Sequence, residues 1–117
     1  MSKVKVYHNP RCGKSRNSLK LVQEQIPEDE VEIIKYLETP PSRAELKSIL
    51  GKLGIKAEEL IRENEQVWKE SYKGKSFSED ELVEIMVENP ILIERPIVVK
   101  GNKAVIGRPP ENVLGIL

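Results

Sequence analysis

The first thirty-six residues run strand, turn, helix, strand, and that order limits what the chain can become. Val4-Lys5-Val6-Tyr7 carries alternating apolar residues, so Lys3 to Tyr7 reads as a strand. A tight polar turn follows, His8-Asn9-Pro10-Arg11-Cys12-Gly13, and Lys14 to Gln25 then reads as an amphipathic helix. Leu19, Val22 and Ile26 fall at i, i+3 and i+7 and make its core-facing stripe, and Pro27 marks its end. Val31 to Tyr36, with Ile33 and Ile34, is the second strand. A strand–helix–strand unit of this kind implies parallel strands joined by a right-handed crossover.

The middle of the chain reads as helical. Thr39-Pro40-Pro41 is a break. Ser42-Arg43-Ala44-Glu45 has the form of a capping box and opens a helix with Leu46, Ile49, Leu50 and Leu53 inside, ending near Gly51 or Gly54. Ala57 to Asn64 reads as a short helix, and Glu65 to Phe77 is the least regular stretch, with Trp68 and Tyr72 as packing anchors. Ser78-Glu79-Asp80-Glu81 repeats the capping box before Leu82, Ile85 and Met86, and Pro90 closes that helix. The tail changes character. Pro96 to Lys100 and Lys103 to Ile106 are strands joined by the turn dipeptide Gly101-Asn102, and Pro109 or Pro110 opens a last helix reaching Leu117. The expected architecture is α/β. It is a four-stranded mixed sheet flanked by helices in a single domain, residues 1–117, with a helical insertion at about 42–90. At the level of order alone this is a thioredoxin-like arrangement.

Composition narrows the function. Nineteen acidic and nineteen basic residues give zero net charge, against the basic excess that nucleic-acid or membrane-surface binding requires. No apolar run approaches the ~20 residues that span a bilayer, and Met1 to Val4 lacks the apolar stretch of a signal peptide. One cysteine cannot form an internal disulfide, and together these features point to the reducing cytoplasm. No Cys/His set has metal-ligand spacing, and no glycine-rich phosphate loop is present.

That cysteine, Cys12, stands where a strand has ended and a helix begins. There it faces unpaired backbone N–H groups and the positive end of the helix dipole, both of which favour thiolate over thiol. Arg11, Lys14 and Arg16 add positive charge nearby. Cys12-Gly13-Lys14-Ser15 is a CxxS pattern, so turnover through the thiol needs an outside thiol to complete it. Ser15 has two uses open to it, bonding the thiolate or capping the helix. His8, the only histidine, has two as well: tuning the thiolate or holding the turn. A tyrosine-phosphatase-like loop would need arginine six residues after the cysteine, and that position is Ser18.

The segment Tyr7 to Asn17 closely resembles the active-site segment of the glutaredoxin-coupled arsenate reductase family. Leu37 to Arg43, Leu60 to Asn64, Pro90 to Val99 and Gly107-Arg108-Pro109 resemble further segments of that family, in the same order and across nearly the whole chain. The resemblance implies a thioredoxin-like fold in which Cys12 attacks arsenate and Arg62, Arg95 and Arg108 line the oxyanion site. It implies that glutathione displaces the arsenic as co-substrate, that glutaredoxin regenerates the enzyme, and that no cofactor is bound. It also implies that Pro96, ahead of the third strand, follows a cis peptide bond. The chain stops at Leu117, soon after Arg108, and so looks like the shorter branch of the family.

Chemistry supports those roles on its own terms. Arsenate is an oxyanion at neutral pH, guanidinium forks bind such groups through paired hydrogen bonds, and a helix N-terminus adds backbone donors. Without the resemblance, nothing distinguishes Arg62 from Arg43 among the six arginines, whereas Arg95 and Arg108 stand at strand ends beside prolines. Two other readings remain: a thioredoxin-fold thiol oxidoreductase with another substrate, and a non-catalytic redox-sensing interaction module. Spx-type regulators share the family fold but generally carry CxxC, which Ser15 breaks.

Overall fold

The structure is a computed structural model and describes residues 3–117. The chain divides into two compact units, one running to Thr39 and resuming at Arg95–Leu117, the other formed by Pro40–Glu94.

The first unit is built on a four-stranded sheet. Its elements are β1 (Val4–His8), α1 (Gly13–Gln25), β2 (Val31–Lys35), β3 (Ile97–Lys100) and β4 (Lys103–Ile106), with 3-10 turns at Glu28–Glu30 and Pro110–Gly115. The strand order is β2-β1-β3-β4. β1 pairs with β2 in parallel, Val6 opposite Ile33, and antiparallel with β3, Val6 opposite Val98. β3 and β4 form the antiparallel hairpin, with Val98 opposite Val105. Gly101 turns that hairpin at φ 60°, a backbone conformation that glycine adopts at little steric cost. The sheet is therefore mixed, as the order of elements predicts.

The patterning explains the layers. Val4, Val6, Val22, Val98 and Val113 form one buried cluster, so α1 and the C-terminal turn cover one face of the sheet. Leu19 and Ile26, the other members of the helical stripe, pack partly buried against it. The central strand β3 is buried at Ile97, Val98 and Val99, while the edge strand β2 leaves Ile33 43% exposed. β2 ends one residue before the expected Tyr36, because the Glu38 and Thr39 N–H groups both turn back onto the Lys35 carbonyl. The expected last helix is instead a single 3-10 stretch from Pro110, and Asn112 holds it by donating to the carbonyls of Ile106 and Arg108.

The second unit is helical. It contains α2 (Arg43–Leu53), α3 (Ala57–Leu60), α4 (Gln66–Ser71), α5 (Glu79–Glu88) and a 3-10 turn at Pro90–Leu92. Both capping boxes form. Ser42 Oγ accepts the Glu45 N–H at 3.1 Å and Ser78 Oγ accepts the Glu81 N–H at 3.2 Å, with each glutamate returning to the serine N–H. Leu46, Ile49 and Leu50 of α2 and Leu82, Val83, Ile85 and Met86 of α5 are buried. Exposed pairs Arg43–Glu84 and Lys47–Asp80 link the same two helices at the surface, where such contacts add little stability.

Two expectations fail in this unit. The helix expected over 57–64 stops at Leu60, because Ile61 turns extended and bridges Ile93. The Arg62 N–H then donates to the Leu92 carbonyl at 2.7 Å and the Glu94 N–H to the Leu60 carbonyl at 2.9 Å. The stretch expected to be irregular contains α4. Its Trp68 is buried and joins Tyr72 and Phe77 in an aromatic cluster, with Trp68–Tyr72 ring centroids 5.6 Å apart.

Candidate active site

Within the first unit, the turn between β1 and α1 holds Cys12 at the N-cap of the helix, in extended backbone conformation. The turn is tied at every residue. Asn9 accepts the Cys12 N–H on its backbone carbonyl and the Arg11 N–H on its side-chain oxygen, both at 3.0 Å. Its own N–H donates to Ser15 Oγ at 3.0 Å. Arg16 reaches back to donate to the Pro10 carbonyl at 3.0 Å. The Arg16 N–H bonds the Cys12 carbonyl and starts the helix.

The sulfur itself is half-buried. Burial alone would raise the thiol pKa, yet the net shift is downward. The Ser15 backbone N–H, the Arg95 guanidinium and the Lys14 backbone N–H together stabilise the thiolate more than partial burial opposes it. A first consequence is measurable. The rate of Cys12 alkylation should rise with pH through a midpoint below the free-thiol value of ~8.5, because the reactive species is the thiolate. A midpoint at or above that value would remove the basis for an activated nucleophile.

Ser15 serves neither of the uses considered for its hydroxyl. Oγ lies 2.7 Å from His8 Nδ1 and accepts the Asn9 N–H, so the hydroxyl braces the turn while the backbone N–H acts on the sulfur. His8 is buried in that network, and burial, then Lys35, then Arg16 hold its pKa below the ordinary value. That shift favours the neutral ring, which has Ser15 as its partner.

Arg95 and Arg108 come together beside this turn. The Arg95 guanidinium faces the Cys12 sulfur, and Arg108 Nη1 approaches the Arg95 carbonyl at 3.5 Å. The Arg95–Pro96 peptide is cis, as the resemblance implies, and Arg108–Pro109 is cis as well. Pro96 is fully buried and its carbonyl accepts the Gly107 N–H at 2.9 Å.

Arg62 lies in the second unit, where its side chain is only 12% exposed. Its Nε donates to Glu65 at 3.0 Å and its Nη1 to Glu94 at 2.7 Å. Partial burial opposes the charged form, but the two carboxylates outweigh it and raise the guanidinium pKa further. Glu65 and Glu94 were not singled out from sequence. The spacing of Arg62 and Glu65 is a signal that could have found the first, whereas Glu94 is thirty-two residues away. Arg43 pairs with Glu84 on the surface, and Arg11 and Lys14 are exposed.

In the second unit a cavity of about 300 Å³ is walled by Ile61, Trp68, Phe77 and Leu82 with Glu58, Glu63, Lys75 and Ser76 beside them. Among the described residues no group of His, Cys, Asp and Glu gathers as a metal site, and no helix is long and apolar enough to cross a membrane.

Residues 7–116 match the ArsC family. An "Uncharacterized protein YfgD" of Escherichia coli strain K12 is 52% identical over 97% of this chain and 96% of its own length. A protein named arsenate reductase from Neisseria meningitidis is 40% identical over 100% of both chains. The solved structure named arsenate reductase from Vibrio cholerae superposes with a TM-score of 0.92 at 47% identity, covering 99% of this chain and 98% of that one.

Proposed function

The chain belongs to the ArsC family, and we propose that it reduces arsenate to arsenite, with Cys12 as nucleophile, glutathione as co-substrate and glutaredoxin as the partner that regenerates it. The observation that carries the reading is the pairing of the Cys12 thiolate with the Arg95 guanidinium at a helix start. A thiolate attacking an oxyanion brings two negative centres together, so it needs fixed positive donors in place beforehand.

The chemistry follows in balanced steps. The Cys12 thiolate forms a sulfur–arsenic bond while an arsenic–oxygen bond breaks, and the oxygen leaves as water after protonation. The glutathione sulfur then attacks the Cys12 sulfur. A disulfide forms, the sulfur–arsenic electron pair stays on arsenic, and arsenite departs. Two thiols have supplied two electrons, and glutaredoxin returns Cys12 to the thiolate by thiol–disulfide exchange.

In this reading Arg95 and Arg108 hold the anion and the amides of Lys14 and Ser15 orient the sulfur. His8 and Ser15 brace the turn, and Pro96 anchors the Arg95 loop. Arg62 is the third anion ligand by resemblance to the family, and Glu65 and Glu94 fix the direction of its fork. The protein works in a reducing compartment, where a free thiol persists. The exposed cations Arg11 and Lys14 favour a second reading, a thiol oxidoreductase that meets an acidic thiol-bearing partner at the same cysteine. Arsenate-dependent NADPH oxidation in the presence of glutathione, glutaredoxin and glutathione reductase separates the two. The proposed enzyme gives a rate that saturates with arsenate and vanishes without glutathione. Reduction of a glutathione mixed disulfide with no response to arsenate favours the second reading.

A further inference from the structure

The site works only if two arginines carried on separate loops stay aligned with a sulfur carried on a helix. In the first unit one buried contact links all three segments. Ser18, on the helix turn after Cys12, is 0% exposed, and its Oγ donates to the Gly107 carbonyl at 3.1 Å across eighty-nine residues of sequence. The Gly107 N–H in turn donates to the Pro96 carbonyl at 2.9 Å. Gly107 precedes Arg108 and Pro96 follows Arg95, so the chain of bonds runs from the thiol-bearing helix to both arginine loops.

The approach is close enough to exclude any side chain at 107. A Cβ there would collide with Ser18 Oγ, and it would lie 2.9 Å from Pro96 Cγ and 3.1 Å from Ser18 Cβ. The proline ring is rigid and fully buried, so it cannot swing aside as an exposed side chain would. Nor is the serine placed for the sake of the helix. Serine in a helix interior is a neutral to poor choice, and its hydroxyl commonly bonds back within its own helix. Here it bonds outward instead.

We infer that Ser18 and Gly107 are positioning residues for the reaction, a latch that sets Arg95 and Arg108 against the Cys12 sulfur. The inference rests on the proposed use of those arginines. In the proposed mechanism neither latch residue is a ligand of the substrate. Their effect passes through the arginines, whose alignment sets both the thiolate population and the grip on the anion. Small displacements of such groups are costly, since misplacement by about 1 Å can reduce a rate by about a hundredfold.

The test is a double-mutant cycle on the full chain: Ser18→Ala, Gly107→Ala and the two together, each read by the pH midpoint of Cys12 alkylation and by kcat/KM for arsenate. Ser18→Ala should raise the midpoint by about half a pH unit and lower kcat/KM by about tenfold, as one weakened charge-assisted contact would. Gly107→Ala should do more on both measures, by up to about a hundredfold in kcat/KM. The double variant should recover part of the Gly107→Ala loss, because removing Ser18 Oγ removes the worst collision. Should Gly107→Ala fail to fold, Ser18→Ala and the double variant still decide. Lower stability in Ser18→Ala with an unchanged midpoint and unchanged kcat/KM would show a merely structural contact and overturn the inference. Strict additivity of the two substitutions would overturn it too. If the parent chain does not turn over arsenate, the proposed function falls, while the alkylation midpoints still judge the latch.

Discussion

Cys12→Ser should lose arsenate reduction by at least about a thousandfold while the fold stays intact. Oxygen replaces sulfur at nearly the same volume in a half-buried N-cap, and serine is a favoured N-cap residue, so the stability change should stay within about 0.5 kcal/mol. The chemistry fails twice over. A serine hydroxyl is not ionised by one guanidinium and two amides, so the attack on arsenic is lost. An oxygen cannot enter the disulfide that collects the two electrons, so the second half of the cycle is lost as well. The sequence holds no other cysteine to substitute. Steady-state turnover with glutathione and glutaredoxin, read beside thermal unfolding, checks both claims. Retention of more than about a tenth of the parent rate would mean that the electrons come from elsewhere.

Where local chemistry decided the structure, the sequence was readable. Serine, two spacers and glutamate before an apolar run is a reciprocal pair of hydrogen bonds between neighbours, and both boxes form at Ser42 and Ser78. The strand–turn–helix around Cys12 was legible for the same reason, since each contact of the turn spans seven residues or fewer. Non-local contacts were not legible. Ile61 leaves its helix because a partner, Ile93, waits thirty-two residues downstream. Trp68 looks irregular among charged neighbours until Tyr72 and Phe77 close around it and give α4 an apolar face. The resemblance to a family named the arginines. It did not reveal that Arg62 is gripped by Glu65 and Glu94, or that the arginine loops hang from a buried serine. In the sequence Ser18 stands out only as the place where a tyrosine-phosphatase-like loop would carry arginine.

Arg95→Ala should raise the Cys12 alkylation midpoint toward the free-thiol value and lower kcat/KM for arsenate by about a hundredfold or more. The two effects share one cause. Arg95 is the side chain that stabilises the Cys12 thiolate, and in the proposed mechanism the same guanidinium receives the incoming anion. Its removal leaves the Lys14 and Ser15 amides, and a helix N-terminus carries only about half a positive charge. That is too little to offset burial of the sulfur and to hold a divalent oxyanion beside it. The sign with pH is definite. In the parent the thiolate persists down to its depressed midpoint, so the fold loss caused by Arg95→Ala should be greatest at and below that midpoint, shrink as pH rises through the variant's higher midpoint, and be smallest at high pH. There the thiol ionises in either protein and only the loss of anion binding remains. Arg95→Lys keeps the charge but not the planar fork, so it should recover the midpoint more fully than kcat/KM. Arg43→Ala, which breaks only the exposed pair with Glu84, should leave both quantities unchanged. If Arg95→Ala alkylates with the parent midpoint and reduces arsenate normally, the guanidinium at the sulfur is structural, and the oxyanion must be held elsewhere.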